Sequence, residues 1–171
     1  MFADNQSSYD IFQRRRLLIF GLGYGAIWSL VPGALGDLLR SPLQAATVLG
    51  AGMLTGTVVT LALALVLKRL NGWQAAVLGI LSLPIGAWLF GLLISCAHWI
   101  ILQLSGVHLR FVTEIEEVPG YAWAPFEAAF QYAFFSSFTV FAFALFPLAI
   151  LTTLHLWKAV SAALPNDNIL A

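Results

Sequence analysis

The sequence predicts an all-α fold: a polytopic integral membrane protein, built as a four-helix transmembrane bundle with both termini cytoplasmic and one extracytoplasmic loop. Three observations lead there. Apolar residues make up 60% of the chain and charged residues 9%, against about 25% charged in an ordinary soluble domain. A water-facing surface cannot be covered from so small a polar stock, and the mean hydropathy of +0.88 agrees. Second, the apolar residues fall into four long runs, and all eight Lys and Arg and all eight Asp and Glu lie outside them. Third, the basic residues gather on alternate connections. The whole chain, 1–171, reads as a single transmembrane domain.

The elements follow in order. Residues 1–8 are polar and expected to be loose. The first span, 17–36, is longer than the 7–15 apolar residues of a signal peptide, although the Pro32-Gly33-Ala34 stretch offers a cleavage-like sequence. Asp37, Arg40 and Pro42 break it from the second span, 43–67, and the third and fourth are 73–104 and 128–157. About 20 apolar residues cross a hydrocarbon core of about 30 Å. Backbone groups in lipid must pair internally, so uninterrupted runs of this length are helices, not barrel strands. The third and fourth runs hold 32 and 30 residues, too few for two spans each. Tilt, a protruding end, or kinks at Pro84 and Pro147 take up the excess.

Orientation comes from charge. Arg14, Arg15 and Arg16 precede the first span, Lys68 and Arg69 follow the second, and Lys158 follows the fourth, six of the eight basic residues on one side. The positive-inside rule makes that side cytoplasmic. Arg40 and Arg110 lie on the other. The long connection, 105–127, is therefore outside, and it holds Glu114, Glu116 and Glu117. Acids gather there because they carry little topological cost. Alternation over 107–113 suits a short strand or a flat interfacial segment, and Pro119-Gly120 supplies a turn. Tyr121, Trp123 and Trp99 outside, with Trp73 and Trp157 inside, read as headgroup-level anchors.

Composition excludes several classes. The net charge is zero, so nucleic-acid binding has no electrostatic support. Cys96 is the sole cysteine, which rules out an internal disulfide and any Cys-based cluster. Ion-coupled carriers place ionisable groups at mid-membrane, whereas the only such groups in these spans besides Cys96 and tyrosines are His98 and His155, each near an end. Helical rise separates those two histidines by roughly 30 Å, so one haem cannot bridge them. A haem held by one histidine, or shared with another subunit, stays open.

Four groups of residues carry the remaining chemistry. His98, His108, Glu114 and Glu127 form a candidate metal-binding or proton-moving constellation at the outer face, with Gln131 and Tyr132 at the same depth. The spacing matches no HExxH-type motif, and the plain alternative is that Glu127 caps the fourth helix after Pro125. Gly21 and Gly25, and Gly52 and Gly56, are GxxxG helix-packing pairs. On antiparallel neighbours Gly21 and Gly25 lie level with about residues 59–63 and Gly52 and Gly56 with about residues 28–32, so the two pairs are expected to face different neighbours. Phe130, Phe134, Phe138 and Phe141 form an aromatic stripe, a candidate apolar ligand face or a lipid-packing face. Ser136, Ser137, Thr139, Thr152 and Thr153, with Thr55, Thr57 and Thr60, are expected to hydrogen-bond to backbone or across helices.

Three functions remain. The first is a non-catalytic structural or accessory subunit, or assembly factor, of a larger complex. The second is a carrier or channel component for a neutral or lipid-like solute, and the third a small enzyme using the outer-face residues. No cofactor is expected. The expected partners are the lipid bilayer and other membrane subunits or further copies of this chain, in a bacterial plasma membrane.

Overall fold

The computed structural model describes residues 2–35, 41–106, 126–127, 130, 134 and 141–162. Among them are four helices and no strand: α1 (Phe2–Leu35), α2 (Pro42–Leu67), α3 (Gly72–Ser105) and α4 (Phe141–Ser161). Phe126, Glu127, Phe130 and Phe134 are also helical. α2 and α3 are each long and apolar enough to cross a membrane, and Leu145–Ser161 forms a shorter apolar helix. The segment 107–125 lies outside the described residues, and with it the alternating stretch, the Pro119-Gly120 turn, Tyr121 and Trp123. Most of the first half of the expected fourth span lies outside them too.

One correction concerns the start of the chain. Residues 2–8, expected to be loose, are the first turns of α1, which runs for 34 residues. Neither Pro nor Gly interrupts residues 2–20. A helix already nucleated by an apolar stretch adds one hydrogen bond for each further residue it fixes, so it propagates into polar sequence.

The helix ends have local causes. Pro42 opens α2 behind Ser41, whose Oγ accepts the Gln44 N–H at 3.2 Å, an N-cap with proline at the first helical position. The Asn71 N–H donates to Gln74 Oε1 at 2.9 Å at the start of α3. α3 stops at Gly106, which takes the left-handed conformation (φ 66°) and donates its N–H to the Leu102 carbonyl at 2.9 Å. Pro84 and Pro147 both lie inside continuous helices.

The helices pack as two hairpins. α1 lies chiefly on α2 and α3 chiefly on α4; α2 also meets α3 and α4, α1 meets α4, and the described parts of α1 and α3 do not touch. In the first hairpin the two GxxxG pairs are each other's partners, which corrects the register read from the sequence. α1 stops at Leu35 and α2 starts at Pro42, so the two helix ends are symmetric about 38–39, whereas the register read from the sequence is symmetric about residue 42. That shift of seven facing positions, about two helical turns, sets Gly21 opposite Gly56 and Gly25 opposite Gly52. The backbones touch: a Cβ added at Gly21 would stand 2.6 Å from Thr57 Cα, and one at Gly52 would stand 2.6 Å from the Gly25 carbonyl oxygen.

The second hairpin has a smaller version of the same contact. A Cβ at Gly79 would come within 2.8 Å of Thr153 Oγ1 and 2.9 Å of the Ala149 carbonyl oxygen. Ala75, Gly79 and Leu83 are all buried at four-residue spacing, the small-xxx-small pattern that brings membrane helices together.

A shared apolar layer joins both hairpins at one end, with Leu17 and Phe20 of α1, Leu67 of α2, Ala75 of α3, and Leu156 and Val160 of α4. Trp157 belongs to it, and its Nε1 donates to the Leu70 carbonyl at 2.8 Å. This indole, expected at headgroup level, thus clasps the turn between α2 and α3. The same end presents Arg14, Arg15, Arg16, Lys68, Arg69 and Lys158, all exposed.

The glycine contact makes a paired prediction. Gly25→Ala should lower the thermal stability of the detergent-solubilised protein by an amount typical of overpacking, about 1–3 kcal/mol, because the new methyl meets the Gly52 carbonyl carbon at 2.7 Å and Met53 Cα at 2.8 Å. Gly23 has nothing within 4 Å of an added Cβ. Gly23→Ala should be neutral or stabilising by up to about 1 kcal/mol through helix propensity. Equal melting shifts for the two variants would show that the seam is not under this constraint.

Candidate functional site

Glycine removes side-chain volume as well as separation, and that has a second result. Between the hairpins lies a partly enclosed cavity of about 100 Å³. Gly25, Gly52 and Gly56 form one wall, and Gly86 and Ala87 of α3 thin the opposite one. Larger apolar side chains, among them Trp28, Val59, Phe90 and Leu145, supply most of the remaining surface.

Several hydroxyls reach the cavity, and most are already satisfied. Ser29 donates to the Ala26 carbonyl, Ser82 to the Gly79 carbonyl and Thr152 to the Leu148 carbonyl, each at 2.8 Å. These are the ordinary back-bonds of Ser and Thr within a helix. Thr47 and Thr57 make them on α2 as well, to the Leu43 and Met53 carbonyls. Thr55 departs from the pattern, and from the expectation that these residues bond to backbone or across helices. It lines the cavity, it is 8% exposed, and its Oγ1 has no hydrogen-bond partner among the described residues. Leaving such a group unpaired costs about 1–3 kcal/mol.

Tyr24 stands between the cavity and the basic end of the bundle. It lines the cavity, and its hydroxyl is hydrogen-bonded to His155 Nδ1 at 2.5 Å. Phe20 stacks on the Tyr24 ring at 5.9 Å between centroids and meets the His155 ring at 5.5 Å. The Arg16 guanidinium lies 5.3 Å above the Phe20 ring, within cation–π range. Arg16, Phe20 and Tyr24 follow each other at four-residue spacing, so the column runs along one face of α1. That spacing was the available signal, and sequence reasoning weighed His155 only as a haem ligand.

The residues singled out from the sequence are distributed as follows. His98 is buried, at 5% exposure, toward the Ser105 end of α3, whereas His155 sits at the basic end against Tyr24; the two are not brought together. Glu127 is exposed. His108, Glu114, Glu116, Glu117, Gln131 and Tyr132 lie outside the described residues. Among the described residues no three His, Cys, Asp or Glu side chains converge. Phe130 and Phe134 are exposed, and Phe130 meets the edge of Trp88 at 6.4 Å between centroids. Phe138 lies outside the described residues, and Phe141 is the first residue of α4. Among the described residues the phenylalanine that lines the cavity is Phe90, which the stripe does not include. No family model, characterised protein or solved structure matches the chain.

Two substitutions separate satisfied from unsatisfied polar groups. Thr55→Val keeps the shape and removes the orphan hydroxyl, so melting should be unchanged or raised, by up to about 1–3 kcal/mol. Tyr24→Phe removes the His155 partner and should lower stability by about 0.5–1.5 kcal/mol. Thermal unfolding monitored by circular dichroism in detergent reads both.

Proposed function

We propose that the chain is a four-span, non-catalytic integral membrane protein, with both termini in the cytoplasm of a bacterial cell, serving as an accessory subunit or assembly factor for other membrane components. The clustering of six basic side chains at one end of the bundle supports that orientation, because cationic residues are retained on the cytoplasmic side. The apolar character of α2 and α3 and the uncharged run 17–36 support the spans.

The observation that carries the accessory role is the start of α1. The helix begins at Phe2, about 15 residues before its uncharged run, which at 1.5 Å per residue is an arm of roughly 22 Å. This arm mixes Phe2, Tyr9, Ile11 and Phe12 with polar side chains and ends in three arginines. A mixed aromatic, aliphatic and cationic helix at the membrane face suits docking to a partner helix or groove. Membrane spans whose acidic and basic residues all lie outside them suit packing rather than ion transfer.

Two measurements test this. In a Cys96→Ala background, Ser105→Cys should react with an impermeant maleimide in intact cells, and Gln13→Cys and Ala162→Cys only after permeabilisation. The opposite pattern would remove the orientation. Deleting residues 2–13 should leave that labelling unchanged but shift the native complex to lower mass on blue-native electrophoresis after mild extraction. A parent protein that migrates alone, or a complex indifferent to the deletion, would overturn the accessory role.

A further inference from the structure

We infer that the cavity between the hairpins is a binding site for a small neutral molecule with an apolar body and one hydroxyl group, with Thr55 as its hydrogen-bond partner. The inference goes beyond the accessory role and holds whether the chain works alone or in a complex.

Two independent observations meet here. The first is the space. A cavity of about 100 Å³ is two-thirds of the roughly 150 Å³ apolar cavity that takes up benzene in an engineered soluble protein. A single aromatic ring or a short aliphatic chain is therefore the right scale, and a longer molecule could insert only one end. The second is the polar group. Thr55 Oγ1 is buried at the cavity and without a partner, while other hydroxyls of the lining fold back onto their own helices. The site thus offers an apolar surface with a buried, unpaired hydroxyl at Thr55, able to donate one bond and accept another.

The lining also decides the class. Its ring and aliphatic surfaces come from Trp28, Val59, Phe90 and Leu145, and none of its residues is Asp, Glu, Lys, Arg or His. An ion would lose its hydration there with no counter-charge. An alcohol or phenol fits both features, because its body lies against the apolar surface and its hydroxyl completes Thr55.

The test uses the purified full-length chain in detergent with two matched probes, 4-bromophenol and 4-bromotoluene, which differ in a hydroxyl. Bromine quenches nearby indoles, and Trp28 is the tryptophan that lines the cavity. The parent protein should show saturable quenching that favours the phenol by about tenfold, the effect of one net hydrogen bond. Thr55→Val should bind both probes with similar affinity, and Thr55→Ser should keep the preference. Gly86→Leu should abolish saturable quenching, since Gly86 lines the cavity and a Cβ there finds only Val59 Cγ2, at 3.9 Å. Trp28→Phe should remove the saturable component. Circular dichroism confirms that each variant remains folded, and Thr55→Ser guards against misreading a packing effect in Thr55→Val. Quenching that rises linearly in every variant, as from partition into detergent, would overturn the site. So would saturable quenching that survives Trp28→Phe, or a phenol preference that persists in Thr55→Val.

Discussion

Direct backbone contact between α1 and α2 is the constraint on which the rest of the structure depends. In lipid there is little hydrophobic gain in joining two helices, so attraction has to come from close packing. Four glycines at matched heights provide it: Gly21 and Gly25 on one helix, Gly56 and Gly52 on the other. Any larger side chain at these positions would push the axes apart. The contact also fixes the register of the hairpin, and through it which residues of α2 face α3 and α4. Gly79 against Ala149 and Thr153 performs the same task in the second hairpin with a single glycine.

Close approach within each hairpin leaves room between them. Where Gly25, Gly52, Gly56 and Gly86 line the cavity, the hydroxyls and aromatic rings of the described residues face a gap. At the basic end the gap gives way to side-chain packing, with Trp157 holding Leu70 and Tyr24 holding His155. Polar groups inside the bundle are thus used sparingly. Most stabilise their own helix, a few tie two helices together, and among the described residues Thr55 Oγ1 and Trp88 Nε1 are left over.

Much of this organisation was legible in the sequence. Helix content, the breaks near Pro42 and Asn71, and the grouping of basic residues all follow from hydropathy and charge, because those patterns report directly on solvent. Register was not legible, since moving the centre of the connection by three to four residues moves facing positions by about seven. The pairing of the glycine motifs was missed for that reason alone. Helicity at 2–8 was missed because local polarity says nothing about a helix propagating backward from an apolar segment. The cavity had no sequence signature, because volume missing between four helices depends on which glycines share a height. Thr55 cannot be told from Thr57 by sequence, although one is bonded and the other is not.

The length of α3 has one more consequence. Its 34 residues amount to about 51 Å, and a hydrocarbon core is about 30 Å thick. Lying wholly within that core would demand an inclination above the roughly 40° upper range for such helices. Trp73 and Trp99 are both exposed and about 39 Å apart by helical rise, close to the full bilayer with its headgroups at about 40–45 Å. A bilayer whose headgroup layers met those two indoles would leave the last turn and a half of α3, from Ile100 to Ser105, standing clear of the lipid as a short post.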